Sequence, residues 1–218
     1  MPLRKEEPNR LPFIYGSTLL EHYAQIHFTI ESCIQQGCGC GKIMMPQSDC
    51  NLRLFRKEIS MIKILFVCHG NICRSTMAES VLTYMVQQEG LSDQFIIDSA
   101  ATSTEEIGNG PHPGTVAKLR QVGIPLVPHR ARRMRADDYQ KFDYLIGMDR
   151  ANIRNMTRIA GGDPEGKISK LLEWAGISRD VADPWYTDDF DATYRDVVTG
   201  LTALLGELLQ EYRLDRQS

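Results

Sequence analysis

The chain lacks the features that would place it in a membrane or in an oxidising compartment. No apolar run reaches the roughly 18 residues of a membrane-spanning helix. The first residues, MPLRKEEPNRLPF, do not have the basic-then-apolar order of a secretory signal. The formal net charge of −3 excludes a general electrostatic attraction to nucleic acid or to membrane surfaces. The 6 cysteines do not suggest a disulfide framework in a chain of 218 residues. These absences predict a cytoplasmic protein with no membrane partner and no nucleic-acid partner.

Cysteines are also absent from the whole stretch between Gly90 and Ser218, and most of them lie in the first sixty residues. The early cysteines are Cys33, Cys38, Cys40 and Cys50. Their spacing lacks the paired C-x2-C knuckles of structural zinc sites, so no metal is predicted. We predict that residues 1–60 are an extension that is poorly ordered, or that Met61 is the true start of the protein. We further predict one domain over residues 61–214 and a short tail over residues 215–218.

The stretch from Lys63 to Ser80, KILFVCHGNICRSTMAES, is the most informative in the chain. An apolar, β-branched run ends at Cys68, which predicts a buried strand. The apolar spacing then becomes helical, with one face formed by Ala78, Val81, Leu82, Met85 and Val86. A loop between a buried strand and the start of a helix is where α/β proteins commonly bind anions.

The residue types in this loop favour an oxyanion site that carries a nucleophile. Gly70 and Asn71 tolerate left-handed backbone conformations, so the loop can turn its N–H groups toward one centre. Arg74 offers a planar fork for two oxygens of a tetrahedral anion. The N–H groups of the loop and the positive charge of Arg74 favour the thiolate of Cys68 over the thiol. Ser75 can donate a hydrogen bond to this thiolate. The backbone groups expected to bind the anion lie between His69 and Ser75, in His69, Gly70, Asn71, Ile72, Cys73 and Ser75.

Four motifs in fixed order resemble the low-molecular-weight protein tyrosine phosphatases: CHGNICRS, DSAATS, DYLIGMD and DPWY. The resemblance covers about Met61 to Tyr212. It implies an α/β fold, a three-layer α/β/α sandwich with a four-stranded parallel sheet. It also implies hydrolysis of aryl phosphomonoesters through a cysteinyl-phosphate intermediate, without a cofactor.

The family resemblance assigns roles to particular residues. It implies that Cys68 attacks phosphorus, that Arg74 holds the equatorial oxygens, and that Asp183 acts first as general acid and then as general base. It further implies that Ser99 hydrogen-bonds to Asn71. Cys73 is expected to form a reversible disulfide with Cys68 under oxidation. Asp149 is expected to play a structural part near the loop arginine.

The walls of the cleft are less typical of the family. Trp185 and Tyr186 are expected to stack against an aromatic leaving group. Glu105 stands where many relatives carry an aromatic residue, and an acidic wall should disfavour acidic phosphopeptides. Some relatives also have a histidine near the position of Val122 that supports the loop asparagine. Because this chain has none there, we expect support from a histidine to be absent, so that Ser99 and Ser75 must do more.

The remaining histidines and the basic run are not predicted to act in catalysis or in nucleic-acid binding. We predict that His112 and His129 are polar residues without a catalytic role. The run from His129 to Arg135 has no interleaved aromatic residue, so a solvated or packing role is favoured over nucleic-acid binding.

Several alternatives bear on the function. Protein arginine phosphatases of the same family characteristically have threonine before the second loop cysteine, whereas this chain has Ile72. Thiol-dependent arsenate reductases pass electrons through downstream cysteines, which this chain lacks. A phosphoprotein-binding module would be expected to lack Cys68 or Asp183. We therefore predict a protein-tyrosine phosphatase, as a monomer or weak dimer, acting on a phosphotyrosine protein or an aryl phosphate.

Overall fold

The structure, a computed structural model, describes residues 61–212. Its strands are β1 (Ile62–Cys68), β2 (Phe95–Ala101), β3 (Tyr144–Gly147) and β4 (Ile168–Lys170). They form one sheet in the order β2-β1-β3-β4, and every neighbouring pair is parallel. The predicted four-stranded parallel sheet is confirmed. The predictions for residues 1–60 and for residues 215–218 lie outside the described residues.

Helices precede or follow each strand. They are α1 (Arg74–Gln88), α2 (Pro113–Gln121), α3 (Asp138–Lys141), α4 (Arg150–Ala160), α5 (Pro184–Thr187) and α6 (Phe190–Tyr212), with short 3-10 helices at Ser92–Gln94 and Leu171–Ala175. Helix α3 is a single turn. The Asp138 carboxylate accepts the N–H of Arg135 at 2.8 Å, and this bond closes the turn that precedes α3. No helix of residues 61–212 combines the length and apolar character needed to cross a membrane.

The sheet is covered by helices on both faces. Side chains of β1 alternate between the faces, as the pleat of a strand requires. Ile64 and Phe66 pack in one core with residues of α1 and α6, whereas Leu65 and Val67 pack in a second core with residues of α3 and α4. All four side chains are fully buried. The result is the predicted three-layer α/β/α sandwich.

The order of the strands determines where a ligand can bind. Strand β1 lies between β2 and β3, so the connections that follow β1 and β3 leave the sheet from neighbouring positions. In open parallel sheets, the crevice for ligands forms beyond the carboxyl ends of the strands at such a point. Cys68 ends β1, and Asp149 follows the end of β3 by two residues. The fold therefore brings both residues to the same edge of the sheet.

Candidate active site

The segment from Cys68 to Ser75, called the oxyanion loop below, curls around the sulfur of Cys68. Asn71 has a φ of 59°, in the left-handed region that asparagine tolerates better than most residues. This conformation lets the Asn71 N–H donate to Cys68 Sγ at 3.2 Å. Ser75 Oγ lies 3.1 Å from the same sulfur. Two polar partners on a sulfur that is only 3% exposed stabilise negative charge there.

The side chain of Asn71 is fully hydrogen-bonded behind the loop. Its Nδ2 lies 3.0 Å from Ser75 Oγ and 2.8 Å from Ser99 Oγ, and the latter is the contact expected from the family resemblance. Its Oδ1 accepts the backbone N–H of Arg132 at 3.0 Å and faces His129 Nε2 at 2.7 Å. Because an amide has two donor hydrogens and two acceptor positions, all four are used. The left-handed conformation at Asn71 is therefore fixed from several directions.

The prediction that no histidine supports Asn71 is wrong, because His129 does. Ser99 Oγ donates to Glu79 Oε2 at 2.6 Å, so it accepts from Asn71 Nδ2. The Oδ1 atom of Asn71 must then face His129, so His129 Nε2 donates this hydrogen bond. His129 Nδ1 lies 3.3 Å from Glu79 Oε2. The histidine enters from the loop after α2 rather than from the position of Val122, which is why spacing along the chain did not reveal it.

Arg74 is held between two carboxylates. Its Nη1 donates to Asp149 Oδ2 at 2.8 Å, and its Nη2 contacts Asp183 Oδ2 at 2.6 Å. Burial disfavours the charged guanidinium, but the negative charges of Cys68, Asp183 and Asp149 outweigh this effect and raise the pKa of Arg74. Asp149 also accepts the N–H of Asn152 at 2.6 Å as the N-cap of α4. The Nη1 side of the guanidinium is thereby held at the end of β3.

Asp183 stands immediately before a single helical turn, as its N-cap. Its side chain caps α5 by accepting the N–H of Trp185 at 3.1 Å. Pro184 suits the first helical position because the missing N–H would have no partner there. The turn ends at Asp188, which has a φ of 54°. The segment from Asp183 to Asp189 is called the acid loop below.

The two loops enclose one cavity of about 320 Å³. It is lined by Cys68, His69, Gly70, Ile72, Cys73, Arg74, Glu105, Glu106, Asp183, Trp185 and Tyr186. Of the remaining predicted site residues, Asn71 and Ser75 belong to the oxyanion loop, and Ser99 lies behind it and contacts Asn71. Glu106 lies in the same short segment as Glu105 and lines the cavity beside it.

The two cysteines of the site differ in character. Both are free thiols and both are buried. Burial, together with the negative charges of Cys68 and Asp183, raises the pKa of Cys73 to about 12. Cys73 is therefore a neutral thiol at neutral pH. Since the thiolate is the nucleophilic form of a cysteine, the arrangement leaves Cys68 as the nucleophile of the pair.

One group of side chains could be considered for a metal ion. Glu79, Asp98 and His129 place one possible ligand atom each within 4.8 Å of one another. Each is already engaged within the protein: Glu79 and His129 support Asn71, and Asp98 pairs with Arg132 at 2.7 Å. The Asp98 contact also gives Arg132 the packing role that was predicted for the basic run. These hydrogen bonds account for the three side chains without a metal.

Fold and site together define an α/β protein with a thiol, an arginine and a facing carboxylate around one cavity, an arrangement suited to a tetrahedral oxyanion. The family model described as "Low molecular weight phosphotyrosine protein phosphatase" matches residues 63–218. The chain belongs to this family.

Individual relatives agree with this assignment. The chain is 39% identical over 156 residues to the low molecular weight protein-tyrosine-phosphatase YfkJ of Bacillus subtilis, covering 71% of this chain and 100% of that protein. The crystal structure of YfkJ aligns with a TM-score of 0.67 at 40% identity, covering 70% of this chain and 97% of that one. The crystal structure of a drosophila arginine phosphatase aligns with a TM-score of 0.62 at 30% identity, covering 71% and 99% of the two chains.

Proposed function

We propose that the chain is a protein-tyrosine phosphatase that hydrolyses aryl phosphomonoesters through a cysteinyl-phosphate intermediate. The observation that carries the proposal is the convergence of Cys68, Arg74 and Asp183 on one cavity, with Asp183 Oδ2 2.6 Å from Arg74 Nη2. A nucleophile, a cation for the phosphoryl oxygens and a proton donor are the groups that cleavage of a phosphate ester requires.

In the first step, the thiolate of Cys68 attacks phosphorus as the bond to the aryl oxygen breaks. Arg74 and the N–H groups of the oxyanion loop bind the three equatorial oxygens. Asp183, in its protonated form, gives its proton to the leaving phenolate. A phosphoryl oxygen competes with Asp183 for Arg74 Nη2, so substrate binding releases the carboxyl group toward the leaving oxygen.

In the second step, a water molecule attacks the phosphorus of the cysteinyl-phosphate. The carboxylate of Asp183 takes a proton from this water as the S–P bond breaks. Inorganic phosphate leaves, and Cys68 returns to the thiolate. Ser75 Oγ, 3.1 Å from the sulfur, stabilises Cys68 as a leaving group in this step.

A second candidate is a protein arginine phosphatase, because a drosophila arginine phosphatase has 30% identity and the same fold. Ile72, which lines the cavity, replaces the threonine that characterises the arginine-specific members, and it favours the aryl substrate. A thiol-dependent arsenate reductase is disfavoured because residues 90–218 contain no cysteine for the electron relay.

The direct experiment compares hydrolysis of phosphotyrosine, phosphoserine and phosphoarginine by the wild type, Cys68→Ser and Asp183→Ala. We expect phosphotyrosine to be hydrolysed with the highest kcat/KM, and we expect Cys68→Ser to be inactive on every substrate. Phosphatase activity retained by a folded Cys68→Ser protein contradicts the mechanism. A higher kcat/KM for phosphoarginine than for phosphotyrosine selects the second candidate.

Three further proposals accompany this function. The substrates are phosphotyrosine proteins, the site works without a cofactor, and oxidation joins Cys68 and Cys73 in a reversible disulfide. A cytoplasmic location and a monomeric or weakly dimeric state stay predictions.

A further inference from the structure

We infer that the mouth of the cavity selects phosphotyrosine peptides that carry basic residues beside the phosphotyrosine. The inference rests on the proposed function and specifies its substrate class. It follows from the charges at the rim of the cavity, which differ in sign from the charge at its floor.

One wall of the mouth carries two carboxylates that have no lysine or arginine partner among residues 61–212. Glu105 and Glu106 both line the cavity. Glu105 Oε2 lies 3.0 Å from His69 Nε2, and its side chain is 69% exposed. Glu106 Oε2 accepts a hydrogen bond from the neutral amide of Asn109 at 2.7 Å. A protonated His69 offsets the charge of Glu105, but that of Glu106 remains.

The acid loop carries two more exposed carboxylates close to the lining residue Tyr186. Asp188 and Asp189 are exposed and follow Tyr186, itself a lining residue, within three positions. Asp189 Oδ1 accepts the backbone N–H of Ala192 at 2.8 Å, which leaves its charge in place. Neither aspartate has an ion-pair partner in the described part of the chain. The acid loop therefore adds negative charge near the mouth, outside the lining residues.

Neither of the two nearby arginines forms an ion pair with Glu105 or Glu106. Arg74 is buried at the floor, where it is paired with Asp149 and Asp183 and binds the phosphate. Arg130, which contacts the turn after Glu106, donates to the carbonyl oxygen of Gly108 at 3.1 Å. The floor of the cavity therefore favours a dianionic phosphate, whereas its mouth favours positive charge on the substrate.

The geometry of an extended peptide places its neighbouring side chains at this mouth. When the phosphotyrosine ring descends between the walls, residues one or two positions away lie within about 7 Å along the chain, inside the Debye length of about 8 Å at physiological salt. Each exposed charge pair contributes little, but several act together. We expect kcat/KM to be about tenfold higher for peptides with basic flanks than for peptides with acidic flanks.

The test measures kcat/KM for two phosphotyrosine peptides that differ only in having lysine or glutamate on both sides of the phosphotyrosine. The ratio of the two values is compared among the wild type, Glu105→Gln, Glu106→Gln and the double variant. Taking the ratio within each protein cancels any uniform change in activity. Glu207→Gln, which removes one exposed carboxylate from α6, is the matched control. We expect the ratio to favour lysine in the wild type and in the control, to approach one in the double variant, and to shrink as salt is raised.

A wild-type ratio at or below one overturns the inference, and so does a ratio that the double variant leaves unchanged. Hydrolysis of p-nitrophenyl phosphate, run in parallel, separates this failure from failure of the proposed function, because only the latter abolishes turnover of the small substrate. Binding of the same two peptides to Cys68→Ser, followed by fluorescence anisotropy, reports the charge preference independently of turnover. Equal affinity for both peptides contradicts the inference.

Discussion

The two loops that meet at the cavity are built in opposite ways. In the oxyanion loop, Cys68 and Arg74 are each 3% exposed, and Asn71 is completely buried with every polar position of its amide engaged. In the acid loop, Trp185 is 61% exposed and Tyr186 is 84% exposed. The oxyanion loop is held by other parts of the protein, whereas these two aromatic side chains of the acid loop face solvent.

The contrast indicates that the oxyanion loop is preorganised for catalysis, whereas the acid loop serves to recognise the substrate. Electrostatic stabilisation of a transition state requires dipoles that are already oriented, which the buried network behind the oxyanion loop provides. A proton donor and an aromatic platform must instead accommodate a substrate that enters and leaves. Among the described residues, the acid loop is anchored mainly at its start, where Asp196 accepts the N–H of Ala182 at 3.0 Å and Thr193 donates to its carbonyl at 2.9 Å. We expect substitutions in the two loops to differ accordingly.

Apart from loss of the nucleophile, the largest effect is expected for Asp183→Asn, which removes the proton donor without changing the size of the side chain. For phenyl phosphate, whose leaving group is a poor one, kcat/KM should fall about 10²- to 10³-fold. For an ester of a more acidic phenol, the loss should be much smaller because the leaving group needs less protonation. Steady-state kinetics over a series of aryl phosphates measures this difference. Asp137→Asn, an exposed aspartate that pairs with Lys141, is the control. An equal loss for all leaving groups contradicts the acid role.

A smaller effect is expected in the oxyanion loop when Asn71 is replaced. Asn71→Ala removes four hydrogen bonds and the polar side chain that lets asparagine tolerate the left-handed region, so kcat/KM should fall about 100-fold. Asn71→Gly removes the same hydrogen bonds but keeps the backbone conformation accessible. The kcat/KM of this variant should fall about tenfold. Kinetics with a single aryl phosphate tests the order, and a glycine variant as impaired as the alanine variant refutes the contribution of backbone strain.

His129 should show a milder effect of the same kind. His129→Ala removes the donor to Asn71 Oδ1 and leaves Glu79 facing a cavity, so we expect kcat/KM to fall about tenfold. His129→Gln can still donate to Asn71 and should recover most of the activity. Recovery by glutamine separates the hydrogen bond from loss of packing. If both variants retain wild-type kcat/KM, His129 does not support the loop.

The smallest effect on activity is expected for Asp196, which anchors the start of the acid loop. Burial raises the pKa of Asp196, but hydrogen bonds from Arg179 and from the N–H of Ala182 outweigh this effect and hold the pKa below its usual value. A carboxylate with a lowered folded pKa stabilises the protein above its unfolded pKa of about 3.9, and the contribution disappears as the pH falls through the folded value.

Asp196→Asn should therefore lower the free energy of unfolding at pH 7 by about 1–3 kcal/mol. The difference from the wild type should shrink as the pH falls below about 4. Urea unfolding at several pH values measures both quantities. A difference that does not depend on pH would show that the charge of Asp196 is not the stabilising feature.

The sequence predicted the parts of the molecule that are governed by local patterns. The alternation in β1 and the helical spacing from Ala78 to Val86 follow directly from burial on one or two faces. The left-handed residue in the oxyanion loop was foreseeable because few residue types besides glycine and asparagine adopt it readily. Asp183 was foreseeable from its motif, although its short helix was not.

The errors concern contacts between segments that are distant in the chain. His129 lies 58 residues from Asn71, and its role arises only when the segment after α2 crosses behind the oxyanion loop. From the sequence, Glu79 is an ordinary polar residue of α1. It is nevertheless only 4% exposed, because Ser99 and His129 are its partners. Such pairings depend on tertiary packing, which neither spacing nor composition records.

The central claim is that Cys68 carries the phosphoryl group during turnover. The most direct measurement mixes the protein rapidly with an aryl phosphate, quenches the reaction in acid, and maps the modified peptide by mass spectrometry. We predict a phosphoryl group on the peptide that contains Cys68, formed at the rate of phenol release and absent from Cys68→Ser. Phenol release without any phosphorylated peptide, or with the phosphoryl group on another residue, would contradict the account.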